Sequence, residues 1–151
     1  MQEAQAMVRE FHQKFGLTAK TSPDLPSEAD CLLRDGLIRE EQQEFHTADT
    51  LVAATDALAD LMYVILGTAV CFGVNLWPLF QEVHRSNMSK LWTDAEVKTY
   101  RGTEKLLANR LSDPHDDRCW VVKNEAGKVI KSPSYSPADI AKELRMQGYV
   151  E

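Results

Sequence analysis

A chain of 151 residues, 44% hydrophobic and 26% charged, has the size and composition of one globular domain with one core. Its formal charge of −6 and isoelectric point near 5.2 argue against loose binding to nucleic-acid polymers or anionic membranes, which are held by clustered Lys and Arg. Cys31, Cys71 and Cys119 are too few and too widely spaced for a disulfide framework or a zinc site, and reduced thiols are expected.

The first stretch, MQEAQAMVREFHQKFG, lacks the unbroken apolar core of a secretory leader. Met7, Val8, Phe11 and Phe15 recur at helical spacing, which predicts a helix over 2–15 stopped by Gly16, with Phe11 and Phe15 in the core. LTAKTSPDLPSEAD is a connecting loop, and Ser27 with Asp30 caps a second helix toward His46 whose core side carries Leu33, Leu37 and Ile38. After a short break, Asp49 or Thr50 caps a third helix that runs to about Phe72 and ends at Gly73. That helix is apolar nearly all round, as befits the middle of a bundle. Its apolar run from Leu61 to Val74 is short for a membrane span, so a soluble, cytoplasmic protein is expected.

Leu76, Leu79, Phe80, Val83 and Met88 suggest a fourth helix, and Thr93 with Glu96 forms a capping box before DAEVKTYRGTEKLLANRL, a more exposed helix or helical excursion. SDPHDD is a surface turn. CWVVKNEAGKVIK predicts a β-hairpin around Asn124–Gly127, and Ser136, Pro137 and Asp139 open a closing helix over 137–147. The composite is all-α: a four- to five-helix antiparallel bundle with a small C-terminal β-hairpin and closing helix. It forms a single domain over 1–151, with core helices over 2–90, an excursion over 92–119, and hairpin plus terminal helix over 120–151.

Two groups of acids stand out. In IREEQQEF, Glu40 and Glu44 differ by about 40° around the helix axis and Glu41 and Glu44 by about 60°, so one face carries all three. In DALADLMYVILGTAVCFG, Asp56 and Asp60 sit one turn apart at the head of the most apolar helix. A short connection makes these helices antiparallel neighbours, which gathers five carboxylates. Such a group repels itself unless a cation compensates it, and oxygen-only ligands suit Mg²⁺ or Mn²⁺. The plainer alternative is a solvated face of glutamates, with the aspartates capping or paired to Arg34, Arg39 or Lys90.

Glu40-Glu41-Gln42-Gln43-Glu44 followed by Asp60 resembles the mark of the MazG-like, all-α nucleoside triphosphate pyrophosphohydrolases, namely EExxE on one helix and ExxD on the next. This superfamily also holds dimeric dUTPases and phosphoribosyl-ATP pyrophosphohydrolase. REFHQKFG, EVHRSNMSK and GKVIKSPSYSPADI resemble segments of one of its branches, whereas residues 92–119 fall outside. The sequence departs at Ala57, where the pattern has its second glutamate, and Asp56 is the nearest substitute.

The resemblance implies Mg²⁺-dependent hydrolysis of a (d)NTP between the α- and β-phosphates, giving monophosphate and pyrophosphate and sanitising the nucleotide pool. In that picture Glu41, Glu44 and Asp60, with Asp56, hold metal, and Glu40 is the general base. Asn87, Lys90, Lys131, Tyr135 and His12 contact substrate, Lys128 adds to the basic cluster, and His12 stacks on a base together with Phe11 and Phe15 where these are not core. The partner implied is a second copy of the chain, as homodimer or homotetramer. Phosphoribosyl-ATP hydrolysis and a non-catalytic nucleotide- or metal-binding helical protein are the alternatives.

Overall fold

The computed structural model describes residues 1–102, 106–111 and 118–150. The turn expected at SDPHDD lies outside them. The described residues form helices α1 (Gln2–Lys14), α2 (Glu28–Thr47), α3 (Leu51–Cys71), α4 (Leu76–Met88), α5 (Asp94–Thr99) and α6 (Ile140–Met146), with strands β1 (Leu107–Arg110) and β2 (Trp120–Lys123). The mostly helical class with a small antiparallel strand pair and a C-terminal helix is as the sequence implies. Two compact units are present, Met1–Leu79 with Ile140–Glu151, and Phe80–Asp139.

In the first unit the expected caps are in place. Ser27 Oγ accepts the Asp30 amide at the head of α2, and Thr50 Oγ1 accepts the Ala53 amide at the head of α3, each at 3.1 Å. After α3, Gly73 adopts φ 68°, and a Cβ there would lie 2.1 Å from the Ser22 carbonyl oxygen, so only glycine lets the 17–26 loop close against the helix end. The core is built on Val8 of α1 and on Ala57, Val64, Leu66, Ala69, Val70 and Cys71 of α3.

Three core expectations fail. Phe11, Phe15 and Leu33 are 37%, 68% and 54% exposed, while α1 buries Gln5, Val8 and His12. The buried trio is itself a helical stripe, and its polar members bring their own partners. The Gln5 amide donates to the Val74 carbonyl and accepts the Leu76 amide, and His12 Nδ1 donates to the Thr18 carbonyl at 2.8 Å. On α2 the buried residue is Arg34.

Helix α3 packs on both α1 and α2, as expected of a central helix. It is not covered on every side: Leu58, Met62, Tyr63 and Ile65 stay more than 40% exposed, and Leu51 and Val52 about 80%. By length and composition alone α3 is apolar enough to cross a membrane.

The second unit corrects the reading of 92–119. The capping box is real, with Thr93 and Glu96 exchanging hydrogen bonds, but the helix it opens ends at Thr99. Leu107–Arg110 is then a strand, paired antiparallel with β2 so that Leu107 faces Lys123 and Arg110 faces Trp120. The β-branched run after Trp120 needs a partner strand, and this segment supplies it. The turn at Asn124–Gly127 forms, closed by the Asn124 amide on the Lys128 carbonyl, but a single bridge, Lys123 to Val129, follows it. The closing helix starts at Ile140 rather than at Pro137, because the Asp139 amide is taken by Glu82 Oε1 at 2.9 Å.

Candidate metal and phosphate-binding centre

Glu40, Glu41 and Glu44 lie on α2 and Asp56 and Asp60 on α3, the two helices with the most extensive mutual packing. The Glu41 carboxyl is pushed above its ordinary value by desolvation first, then by the charges of Glu44, Asp60, Glu40 and Asp56 in that order. All four other acids therefore act on one carboxylate. None of the five carboxylate groups has a hydrogen bond or ion pair among the described residues.

Among the described residues, Arg34, Arg39 and Lys90 have partners other than Asp56 and Asp60. Arg39 Nε bonds Asp35 at 2.9 Å, Lys90 Nζ bonds Asn87 Oδ1 at 2.7 Å, and Arg34 turns into α3. Among the described residues no three His, Cys, Asp or Glu side chains are gathered at the spacing of a metal site. The chemistry of the donor set nonetheless fits a hard divalent cation: carboxylate oxygens only, mutually repelling, with no internal counterion. Glu40 and Glu44 are exposed and Glu41 half-buried, so their χ angles are free to turn toward a cation. Ala57 is 3% exposed, which places the position of the missing family glutamate inside the packing and leaves Asp56, exposed, about 100° around the helix.

In the second unit the structure joins residues the sequence had offered separately. Lys131 Nζ lies 4.2 Å from the centre of the Tyr135 ring, and Ser86 Oγ donates to the Tyr135 hydroxyl at 3.1 Å. That hydroxyl is held below its ordinary value by the Ser86 hydrogen bond and then by the charges of Lys131 and Lys90. Two ammonium groups and a phenol sharing one neighbourhood make a site suited to phosphate oxygens.

His12 is placed differently from the exposed residues beside it. It is 2% exposed and committed to the Thr18 carbonyl, while Phe11 and Phe15 hold their rings 4.3 Å apart at the surface. Arg34, read in the sequence only as a candidate partner for Asp56 and Asp60, is 7% exposed. Two signals pointed to it: a lone cation among Leu32, Leu33, Leu37 and Ile38, and Gly67 inside the most apolar helix, where glycine costs about 1 kcal/mol against alanine.

No curated protein matches the chain at a significant level. The family described as phosphoribosyl-ATP pyrophosphohydrolase matches residues 8–87, which span His12, all five clustered acids and Asn87, and leave out Lys90, Lys131 and Tyr135. With more than half of its length matched and the acid-bearing helices inside the match, the chain belongs to the phosphoribosyl-ATP pyrophosphohydrolase family, within the MazG-like all-α superfamily of soluble hydrolases acting on phosphoric anhydrides.

Proposed function

We propose that the chain is a Mg²⁺-dependent nucleotide pyrophosphohydrolase that cleaves a (d)NTP between its α- and β-phosphates, with Mn²⁺ able to replace Mg²⁺. The observation that carries the reading is the group of five carboxylates on α2 and α3 with no partner among the described residues, of which Glu41 is raised by desolvation and then by the other four. Glu41, Glu44 and Asp60, with Asp56, would hold the metal, which when bound supplies positive charge against the phosphates and a more acidic water.

Glu40 has the role of base, accepting a proton as the water oxygen bonds to the α-phosphorus. The bond from that phosphorus to the bridging oxygen breaks, and pyrophosphate leaves with the electron pair. Lys90, Lys131 and Tyr135, with Asn87, are assigned to phosphate or sugar oxygens. The exposed Phe11 and Phe15 rings are suited to stack on a base, and His12, buried behind them, fixes the helix that carries them.

The open apolar face of α3, Leu58, Met62 and Ile65, supports a second copy of this chain as partner, in a homodimer or homotetramer in the cytoplasm. Light scattering of the purified protein tests that directly, a monomer at micromolar concentration being the contrary result.

The activity test is pyrophosphate release over a panel of NTPs and dNTPs and phosphoribosyl-ATP, with Mg²⁺ or Mn²⁺. Full turnover in excess chelator overturns the reading. The family match favours a second substrate, phosphoribosyl-ATP, which holds if its kcat/KM exceeds that of every nucleotide tested. A thermal shift with nucleotide and Mg²⁺ but no turnover on any substrate would make the chain a non-catalytic binding protein.

A further inference from the structure

Arg34 brings a permanent charge into the interior of the first unit and makes no ion pair among the described residues. What it holds is the backbone of α3: Nη2 donates to the Val64 carbonyl at 2.7 Å and Nε donates to Thr68 Oγ1 at 3.2 Å. Thr68 Oγ1 in turn donates to the same Val64 carbonyl at 2.9 Å. The guanidinium thus grips α3 at two adjacent acceptors supplied by residues one turn apart in the sequence, a geometry that lysine does not reproduce.

Gly67 makes the approach possible. A Cβ at this position would stand 2.7 Å from Arg34 Nη2 and 2.9 Å from His12 Nε2. Because His12 Nδ1 donates to a carbonyl, which only accepts, its proton is on Nδ1. One level of the fold therefore interlocks α1, α2 and α3 through His12, Arg34 and Gly67.

That level fixes a register. Arg34 meets Val64 and Thr68, and residues 48–50 alone join α2 to α3, which pack along each other, so Glu41, further along α2, lies toward Asp60 and Asp56, earlier on α3. As the position on one helix advances, its partner on the other recedes, so α2 and α3 run antiparallel. Glu41 is seven residues beyond Arg34, two turns and about 10.5 Å along the axis, and back on the same stripe. The same distance counted back from the middle of the Val64–Thr68 grip arrives beside Asp60.

We propose that Arg34 is a positioning residue for the acid cluster: its two-point grip sets the register of α2 against α3 and holds Glu41 opposite Asp60 against their mutual repulsion. The functional importance of the cluster rests on the pyrophosphohydrolase reading, but the register does not, so the two are tested apart.

The experiment is a double-mutant cycle in chelator, without metal or substrate, reading denaturation midpoints of wild type, Glu41→Gln, Arg34→Lys and the double variant. Glu41→Gln relieves repulsion and should raise the midpoint of the wild-type chain. In the Arg34→Lys background, where the charge is kept but the grip is lost and the acids can drift apart, the gain should fall to less than half.

Residues this far apart otherwise behave additively, so a merely structural Arg34 gives the same gain in both backgrounds, which overturns the proposal. No gain from Glu41→Gln in the wild-type chain overturns it as well. If Arg34→Lys does not fold, Thr68→Val removes one point of the grip and takes its place in the cycle. Separately, free Mn²⁺ measured by its paramagnetic resonance signal should show affinity at least fivefold weaker in the gripless variant. A wild-type chain that binds no Mn²⁺ defeats the metal reading and leaves the cycle to decide the register.

Discussion

At one end of the α2–α3 pair Arg34 is 7% exposed, yet its guanidinium donates to two oxygens of the facing helix; at the other, Glu41 is pushed upward by desolvation and then by four like charges, and its carboxyl has no donor or cation partner among the described residues. Arg34 places charge inside the helix interface, whereas the acids, apart from a half-buried Glu41, place it at the exposed edge. The difference is completeness. The arginine end carries its partners within the chain and so specifies packing, whereas the acid end has no counter-charge among the described residues. Four of the five acids are exposed and Glu41 is half-buried, so what a bound cation would offset under the proposed function is their mutual repulsion.

The contrast breaks most visibly at the acid end. Glu40→Gln should lower the rate of pyrophosphate release by about 10²–10⁴-fold, the usual contribution of a positioned base, with far-UV circular dichroism unchanged. Asp60→Asn should abolish metal-dependent turnover while raising the metal-free thermal midpoint, because it subtracts one charge from a repelling group. An Asp60→Asn protein that is both active and no more stable would mean the acids are an ordinary solvated face.

The arginine end should respond in the opposite direction. On an open helix surface, alanine for glycine stabilises by up to about 1 kcal/mol. Gly67→Ala should instead destabilise by about 1–3 kcal/mol in urea titration, since the new methyl collides with two buried side chains and forces them off their positions. A stabilised Gly67→Ala protein would show that the close approach of Arg34 and His12 is not needed.

How much of this was legible in the sequence follows the same division. The helix ends at Ser27, Thr50 and Gly73 were readable because each depends on the residue itself and its near neighbours. The two acid groups were readable because helical spacing converts sequence separation into a shared face. Burial of Gln5, His12 and Arg34 was not, since it depends on the backbone atoms Val74 O, Thr18 O and Val64 O, which contacts between elements bring within reach. The same holds for Leu107–Arg110, whose strand exists through its pairing with Trp120–Lys123. Lys131 and Tyr135 were read together as part of one basic cluster because they are close in sequence, whereas Ser86 and Lys90, far from them in the chain, joined Tyr135 only through the fold.

Glu96 in the second unit sharpens the comparison, being an acid that the chain fully satisfies. Its two oxygens accept from the Thr93 amide and hydroxyl and from the Ser134 amide and hydroxyl. Glu96→Ala should cost about 1–2 kcal/mol, the range for losing a helix cap, and should leave pyrophosphate release per folded molecule unchanged. A loss of turnover as large as that of Glu40→Gln would place Glu96 in the chemistry.

The smallest expected effect is the difference in pH response between these two glutamates. Burial raises the Glu96 carboxyl, but its Ser134 and Thr93 donors outweigh that and hold it below the ordinary value, so its contribution is present above the ordinary value and is lost as pH falls through the lowered one. Glu41 is raised, chiefly by desolvation and then by its acidic neighbours, so the folded chain takes up a proton there more readily than the unfolded chain. Stability from Glu41 therefore increases as pH falls from its raised value to the ordinary one and is flat below. In metal-free thermal scans, the advantage of Glu41→Gln over wild type should be largest near neutrality and shrink through that window. The deficit of Glu96→Gln should persist through it and shrink only at lower pH. If both differences fade together, the two acids occupy equivalent environments and the unsatisfied cluster loses its claim to be a ligand site.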